Sequence, residues 1–216
     1  MVYGATVLAA LSCNAVSVGA QSPVPTVRIG TQEWMRDNLA ATHFRNGEGI
    51  PTFSDSAGWV RAGKQRIPAW VPYDNSATKQ QRYGLLYNHY AVTDDRGICP
   101  AGFRVPSSDD WRTLEATLGQ SRAAKRLKTA TGWANNGNGS DDVGFGGLPG
   151  GFRTQNGVFF LESRVGYWWT EDRREFTAPT ALAILLFDYA DTIFRIEYPQ
   201  EIGQSVRCIR DQRTGK

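Results

Sequence analysis

The sequence predicts an α+β fold, and three observations carry that prediction. A well-capped helix starts after Ser107, an earlier segment over residues 83–94 shows a helical apolar face, and from Phe145 onward the chain reads as successive β segments joined by turns. Helices followed by hairpins, rather than strands alternating with helices, are the mark of antiparallel sheets with helices segregated from them.

Residues 27–30 and 33–35 read as a short strand, a turn at Gly30 and a continuation. Residues 45–82 are punctuated by Gly, Pro, Asn and Ser around Trp59, Trp70 and Tyr73, so they read as a long loop tied down by its aromatics. In residues 83–94, Leu85, Leu86, His89 and Tyr90 recur at i, i+1, i+4 and i+5, a helical spacing. The helix after Ser107 has local start and stop signals. Ser107 is the N-cap, Asp110 stands three residues on as in a capping box, and Gly119 ends it. Trp111, Leu114 and Leu118 share one face, and residues 125–128 add a short basic turn expected to be solvated.

The glycine-rich stretch that follows packs six glycines between Gly144 and Gly157. It is not a phosphate cradle. Starting from Gly144 and Gly146, Pro149 takes the place of the third glycine of a dinucleotide fingerprint, and Phe152-Arg153 follow Gly151 where a P-loop needs Lys and Ser or Thr. Instead, residues 152–155 and 158–160 read as two strands joined by Asn156-Gly157, the pair favoured in a two-residue type I′ turn. Further strands are expected over 165–170, 181–190, 192–198 and 205–211. Along 182–187 both alternating rows are apolar, Leu182, Ile184 and Leu186 against Ala183, Leu185 and Phe187. That strand is therefore buried on both sides or shows an apolar patch.

Composition narrows function. A net charge of +3 without any Lys/Arg block gives no basis for binding nucleic acid. The first 20 residues are uncharged, apolar and rich in small side chains, and they end in Val18-Gly19-Ala20, as a secretory signal does before cleavage. Leu11-Ser12-Cys13 resembles a bacterial lipoprotein box, which would make a lipid on Cys13 the only contact with a membrane. Either route predicts export, with residues 21–26 as a linker, 27–211 as the domain and 212–216 as a tail. The mature chain then keeps Cys99 and Cys208. They are either a disulfide closing a loop of about 110 residues, worth about 4 kcal/mol in the chain-entropy model, or thiols served by His43 or His89.

Several stretches carry a resemblance in their order and spacing: "VRIGTQEWMRDNL", "YGLLYNHYAV", "CPAGFRVPSSDDWRTLEATLG", "GFGGLPGGFRTQNGVF", "GYWWT" and "SVRCIRD". Together they resemble the Fibrobacter succinogenes major paralogous domain from about Val27 to Asp211. The resemblance implies an exported or surface protein with a C-type lectin-like fold, akin to formylglycine-generating enzymes. It implies two helices, antiparallel sheets, N- and C-terminal strands that pair, and Cys99 close to Cys208. It also places the ligand face just before the last strand, over residues 170–204.

On that face the candidate ligand-binding residues are Thr170, Asp172, Arg173, Arg174, Phe176, Phe187, Tyr189, Asp191, Phe194, Arg195, Glu197 and Tyr198. Tyr, Phe and Arg are the side chains of binding hot spots. Some lectin-like domains are diversified in this window by retroelements acting on Asn-rich codons. Here no Asn occurs between residues 169 and 205, as a diversified copy would show. No catalytic residue, cofactor or metal is expected. The stretch "WWTEDRREF" lacks the Asn and spacing of a calcium-dependent sugar site, and "NNGNGSDD" (135–142) lacks EF-hand spacing and reads as a solvated loop. The expected function is non-enzymatic binding of a protein or glycan at a surface. The alternatives are a formylglycine-generating-enzyme-like oxidoreductase, which would need a close pair of reactive cysteines, and a structural surface or fibre-adhesion module.

Overall fold

The computed structural model describes residues 1, 24–174 and 179–212; the expected signal segment with Cys13, and Phe176, lie outside the described residues. The architecture is α+β, with short helices and, among the described residues, four antiparallel sheets. A hairpin of β1 (Thr26–Ile29) and β2 (Gln32–Met35) opens the chain, turning at Gly30 with φ 60°. The last strand, β11 (Ile209–Arg210), pairs with β2, Ile209 opposite Trp34, and with β5 (Phe103–Arg104). The first hairpin and the last strand of the described residues therefore meet in one sheet, ordered β1-β2-β11-β5. It is the second arm of the N-terminal hairpin, not the first, that receives the last strand. The Cys99–Cys208 disulfide is formed and buried beside this junction.

Residues 45–82 depart from expectation. They carry α1 (Ser56–Lys64), β3 (Trp70–Val71), a 3₁₀ turn and α2 (Ala77–Tyr83). Gly58 and Gly63 mask α1 in the sequence, because glycine weakens helix propensity. The helix stands because Asp55 caps it and because Trp59 and Ala62 are buried in a satellite core with Val71, Tyr73 and Leu86. The expected helical face over 83–94 is also only partly realised. Leu86–Tyr87 form β4, paired with β3, and only His89–Val92 form a helix, α3, capped by Asn88.

The next helix, α4 (Ser108–Leu118), matches its sequence signals: the Ser107/Asp110 capping box is complete, and Trp111, Leu114 and Leu118 are buried. After it comes α5 (Ala123–Leu127). The basic turn is not wholly solvated, since Lys128 is 1% exposed.

The glycine-rich stretch leads into a hairpin of β6 (Gly150–Arg153) and β7 (Phe159–Glu162). Its loop is not type I′. Gly157 N–H donates to Thr154 O (2.9 Å), Thr154 N–H donates to Val158 O (2.8 Å), and of Asn156 and Gly157 only Gly157 has positive φ, at 82°. That is a three-residue loop, a type I turn closed by a left-handed glycine. A Cβ on Gly157 would lie 2.7 Å from Ser56 Cα, so the glycine also lets the hairpin tip sit against α1.

The remaining strands form one sheet, β10-β9-β8: β8 (Val165–Arg174), β9 (Thr180–Phe187) and β10 (Phe194–Pro199). Of the two readings of β9, burial on both sides holds. Ala181, Ala183 and Leu185 enter one core and Ile184 and Leu186 the other. The first core also holds the disulfide, Tyr167 and Trp169; the second holds Trp34, Trp111, Phe145 and Trp168. Residues 205–208 run extended toward β11, with Trp169 N–H donating to Ser205 O (3.0 Å) and Met35 N–H to Cys208 O (3.0 Å).

Candidate ligand-binding surface

The pleat of the β8–β10 sheet separates the sequence-predicted residues. In the β9–β10 register Phe194 lies opposite Leu185, Arg195 opposite Ile184, Ile196 opposite Ala183, Glu197 opposite Leu182 and Tyr198 opposite Ala181. Partners across a ladder point to the same face. Phe187, Phe194, Ile196 and Tyr198 thus share one face of the sheet, and Arg195 and Glu197 share the other.

The first face is aromatic. Phe187 stacks on Tyr189 and meets Phe194 edge-on, each at 5.0 Å between ring centroids. Tyr198 lies 6.0 Å from Tyr167 and 6.4 Å from Phe152, which in turn lies 6.3 Å from Phe160 on the hairpin. The band opens to solvent at both ends and in the middle: Tyr189 is 71% exposed, Phe160 50% and Ile196 37%. Burial pushes the Tyr167 phenol up, helped by the neighbouring Tyr198, and burial pushes Tyr198 up as well, so both stay neutral at ordinary pH. Leu161 has φ 64°, a left-handed backbone that L side chains rarely adopt. That kink breaks the strand's alternation, so that the consecutive Phe160 and Leu161 are both exposed.

The opposite face is charged and internally paired. Arg195 meets Glu115 of α4 at 2.7 Å, and Arg174 meets Glu197 at 3.0 Å. Asp172 accepts from Ser108 N–H at the start of α4, at 2.5 Å; Arg173, opposite Ala181, belongs by register to the other face and reaches Thr93 Oγ1 at 3.4 Å. Asp172, Arg174, Arg195 and Glu197 line a groove between the sheet and the start of α4, and every cation named has an acid or hydroxyl beside it. Thr170 is buried. Its hydroxyl donates to Leu182 O and its carbonyl accepts from His89 Nε2, both at 2.9 Å, so it braces the sheet and does not reach a ligand.

The β9–β10 loop that presents Tyr189 is anchored by Lys128, which the sequence places in a solvated basic turn but which is buried. Lys128 Nζ donates to Phe187 O and Ala190 O at 3.0 Å each and stands 4.0 Å from Asp191. Burial lowers its pKa and the Asp191 charge opposes that shift. The neighbouring Asp188 carboxylate accepts from Asn135 Nδ2 at 2.7 Å. Side chains of residues 135–142 are likewise occupied by neighbouring segments: Asn138 Oδ1 accepts from Trp133 N–H, Asp141 Oδ1 from Gly146 N–H, and Asp142 pairs with Arg126. Among the described residues no cluster of three or more His, Cys, Asp or Glu side chains could hold a metal.

The structure therefore brings together Phe187, Tyr189, Phe194 and Tyr198, and adds Phe152, Phe160, Tyr167 and Ile196 to them. It sets Asp172, Arg174, Arg195 and Glu197 on the far side, with Asp191 at the loop, while Arg173, opposite Ala181 as Tyr198 is, falls on the aromatic side of the ladder. The one signal that could have found Phe152 and Phe160 is their position opposite each other in the hairpin.

In comparison with known proteins, the family model described as the Fibrobacter succinogenes major domain matches residues 27–210. No curated protein and no solved structure matches the chain.

Proposed function

The chain belongs to the Fibrobacter succinogenes major domain family, and from that premise we propose that it is an exported, non-enzymatic ligand-binding domain of the C-type lectin-like fold. The observation that carries this reading is the aromatic band on the β8–β10 sheet. Exposed rings fixed by their neighbours offer large contact area at low entropic cost, as binding to a protein surface or a glycan requires. The disulfide, the pairing of the first hairpin with the last strand and the Lys128 anchor support the band on a rigid base. That pairing also supports the lectin-like reading of the fold.

Against an oxidoreductase of the formylglycine-generating kind stands the bond between Cys99 and Cys208, which leaves no thiol among the described residues. Diversification, if it operates in the 170–204 window, is compatible with folding at its exposed positions, such as Asp172, Arg173, Tyr189, Thr192 and Ile196. It is incompatible at Ala183, Ile184, Leu185 and Gln204, which have no exposed surface.

The reading is tested by binding the disulfide-intact protein to a glycan array and to isolated bacterial envelopes. A saturable signal that is lost in a Phe160→Ser/Tyr189→Ser variant of unchanged fold is expected. Binding that survives both substitutions would sink it. Export has its own test: mass spectrometry of the mature protein should find an N-terminus at Gln21 or a lipidated Cys13, and an intact Met1 would contradict export.

A further inference from the structure

We propose that the outer edge of β10 pairs with the same edge of a second copy of this chain, antiparallel and in register about Ile196. Among the described residues β10 has a strand, β9, on one side only. An edge strand presents unpaired N–H and C=O groups, and natural proteins usually blunt it with a proline, a bulge or inward-pointing charge. Here Pro199 merely ends the strand, residues 194–198 carry neither proline nor bulge, and the one inward-turned charge, Arg195, is paired with Glu115, with Ile196 exposed at the centre of the edge.

The sequence of that edge is complementary to itself. Read outward from Ile196, it is Phe-Arg-Ile-Glu-Tyr, so the proposed register sets Phe194 opposite Tyr198, Arg195 opposite Glu197, and Ile196 opposite its own copy. Aromatic and opposite-charge pairs directly across an antiparallel ladder are the stabilising ones, and like charges there are unfavourable. Slipping by two residues in one direction puts Arg195 against Arg195; in the other it puts Glu197 against Glu197. A one-residue slip opposes the two pleats. Only the register about Ile196 avoids all three.

Existing contacts extend the match. Arg195 already holds Glu115, and Glu197 already holds Arg174. Across the new ladder the charges would run Glu115, Arg195, then Glu197 and Arg174 of the second copy, alternating in sign. A two-fold axis relating antiparallel strands of one sheet stands perpendicular to that sheet, so the two aromatic faces would lie on the same side. The dimer would be a six-stranded sheet with a doubled aromatic surface, able to bind a repeating ligand at two points.

Sedimentation velocity on the full chain from about 1 to 100 µM tests this. The wild type is expected to dimerise with rising concentration. Arg195→Glu and Glu197→Arg are each expected to dimerise about tenfold more weakly, because each sets like charges opposite one another twice per dimer. An equimolar mixture of the two variants restores opposite charges and should recover the dimer, which misfolded chains could not do. Ile196→Lys places two ammonium groups on the axis and should stay monomeric with an unchanged far-UV spectrum. A wild type that remains monomeric throughout, a mixture that fails to recover, or an Ile196→Lys dimer of wild-type affinity would each overturn the proposal. None of these outcomes depends on the aromatic band binding a ligand.

Discussion

Arg207 has no exposed surface, and its guanidinium donates to Asn38 Oδ1 at 2.7 Å, to Arg36 O at 2.6 Å, and to the carbonyls of Phe145 and Gly146. Burial pushes its pKa down to about 9, which leaves it charged at neutral pH. Those acceptors lie on the segment after β2 and on the glycine-rich stretch, so one side chain ties together regions distant in sequence. Arg207→Leu would orphan them and should cost about 3 kcal/mol or more in urea unfolding. No local pattern announced this role, because alternation in "SVRCIRD" does not tell a buried cation from a solvated one. Asp110 was legible, because capping chemistry is local. Burial raises its pKa, but Arg104 at 2.5 Å and the Ser107 N–H outweigh that and hold it below the ordinary carboxylate range. A depressed carboxylate stabilises the fold above its unfolded pKa and loses that contribution as pH falls through the folded one. Asp110→Asn should therefore cost about 1–2 kcal/mol at pH 7. The difference from wild type should shrink as pH falls through the folded-state pKa of Asp110, where the wild-type carboxyl becomes neutral too, and unfolding curves taken from pH 7 into acid check it.

The β6–β7 hairpin shows how much of an element the sequence reveals. Its existence was legible from Asn156-Gly157 between apolar runs, but its loop type was not, since that depends on which residue takes positive φ. The structure assigns it to Gly157 alone, and Ser56 lies against the place a Cβ would occupy. Gly157→Ala should destabilise by about 1–2 kcal/mol, whereas Asn156→Ala should stay within about 0.5 kcal/mol. Equal losses at both positions, measured by thermal unfolding, would favour the two-residue type I′ turn. The helices divide along the same line: α4 carries its own caps and stripe, while α1 contains two glycines and is held by Trp59 in its satellite core. What a helix owes to tertiary packing cannot be read from its own residues.

On the scale of the whole molecule, the disulfide and the junction of the first hairpin with the last strand were implied by family resemblance, and both are present. Reducing the bond should lower stability by about 4 kcal/mol in the loop-entropy account, measured by urea unfolding with and without reductant. The candidate surface was half legible. Among the described residues, 170–204 contain one exposed aromatic, Tyr189, and three half-buried ones, Phe187, Phe194 and Tyr198, but the pleat divides the predicted set between two faces, and the hairpin contributes rings from outside that window. Register and the approach of separate elements decided that outcome, and neither is a property of a single segment. The most direct test of the binding account compares wild type with Phe160→Ser/Tyr189→Ser on the glycan array and envelopes, with thermal unfolding run alongside. The account predicts that the double variant unfolds at the wild-type temperature and loses at least about tenfold in affinity for whatever the wild type binds. Undiminished binding by a folded double variant, or no binding by the wild type to either target, would contradict it.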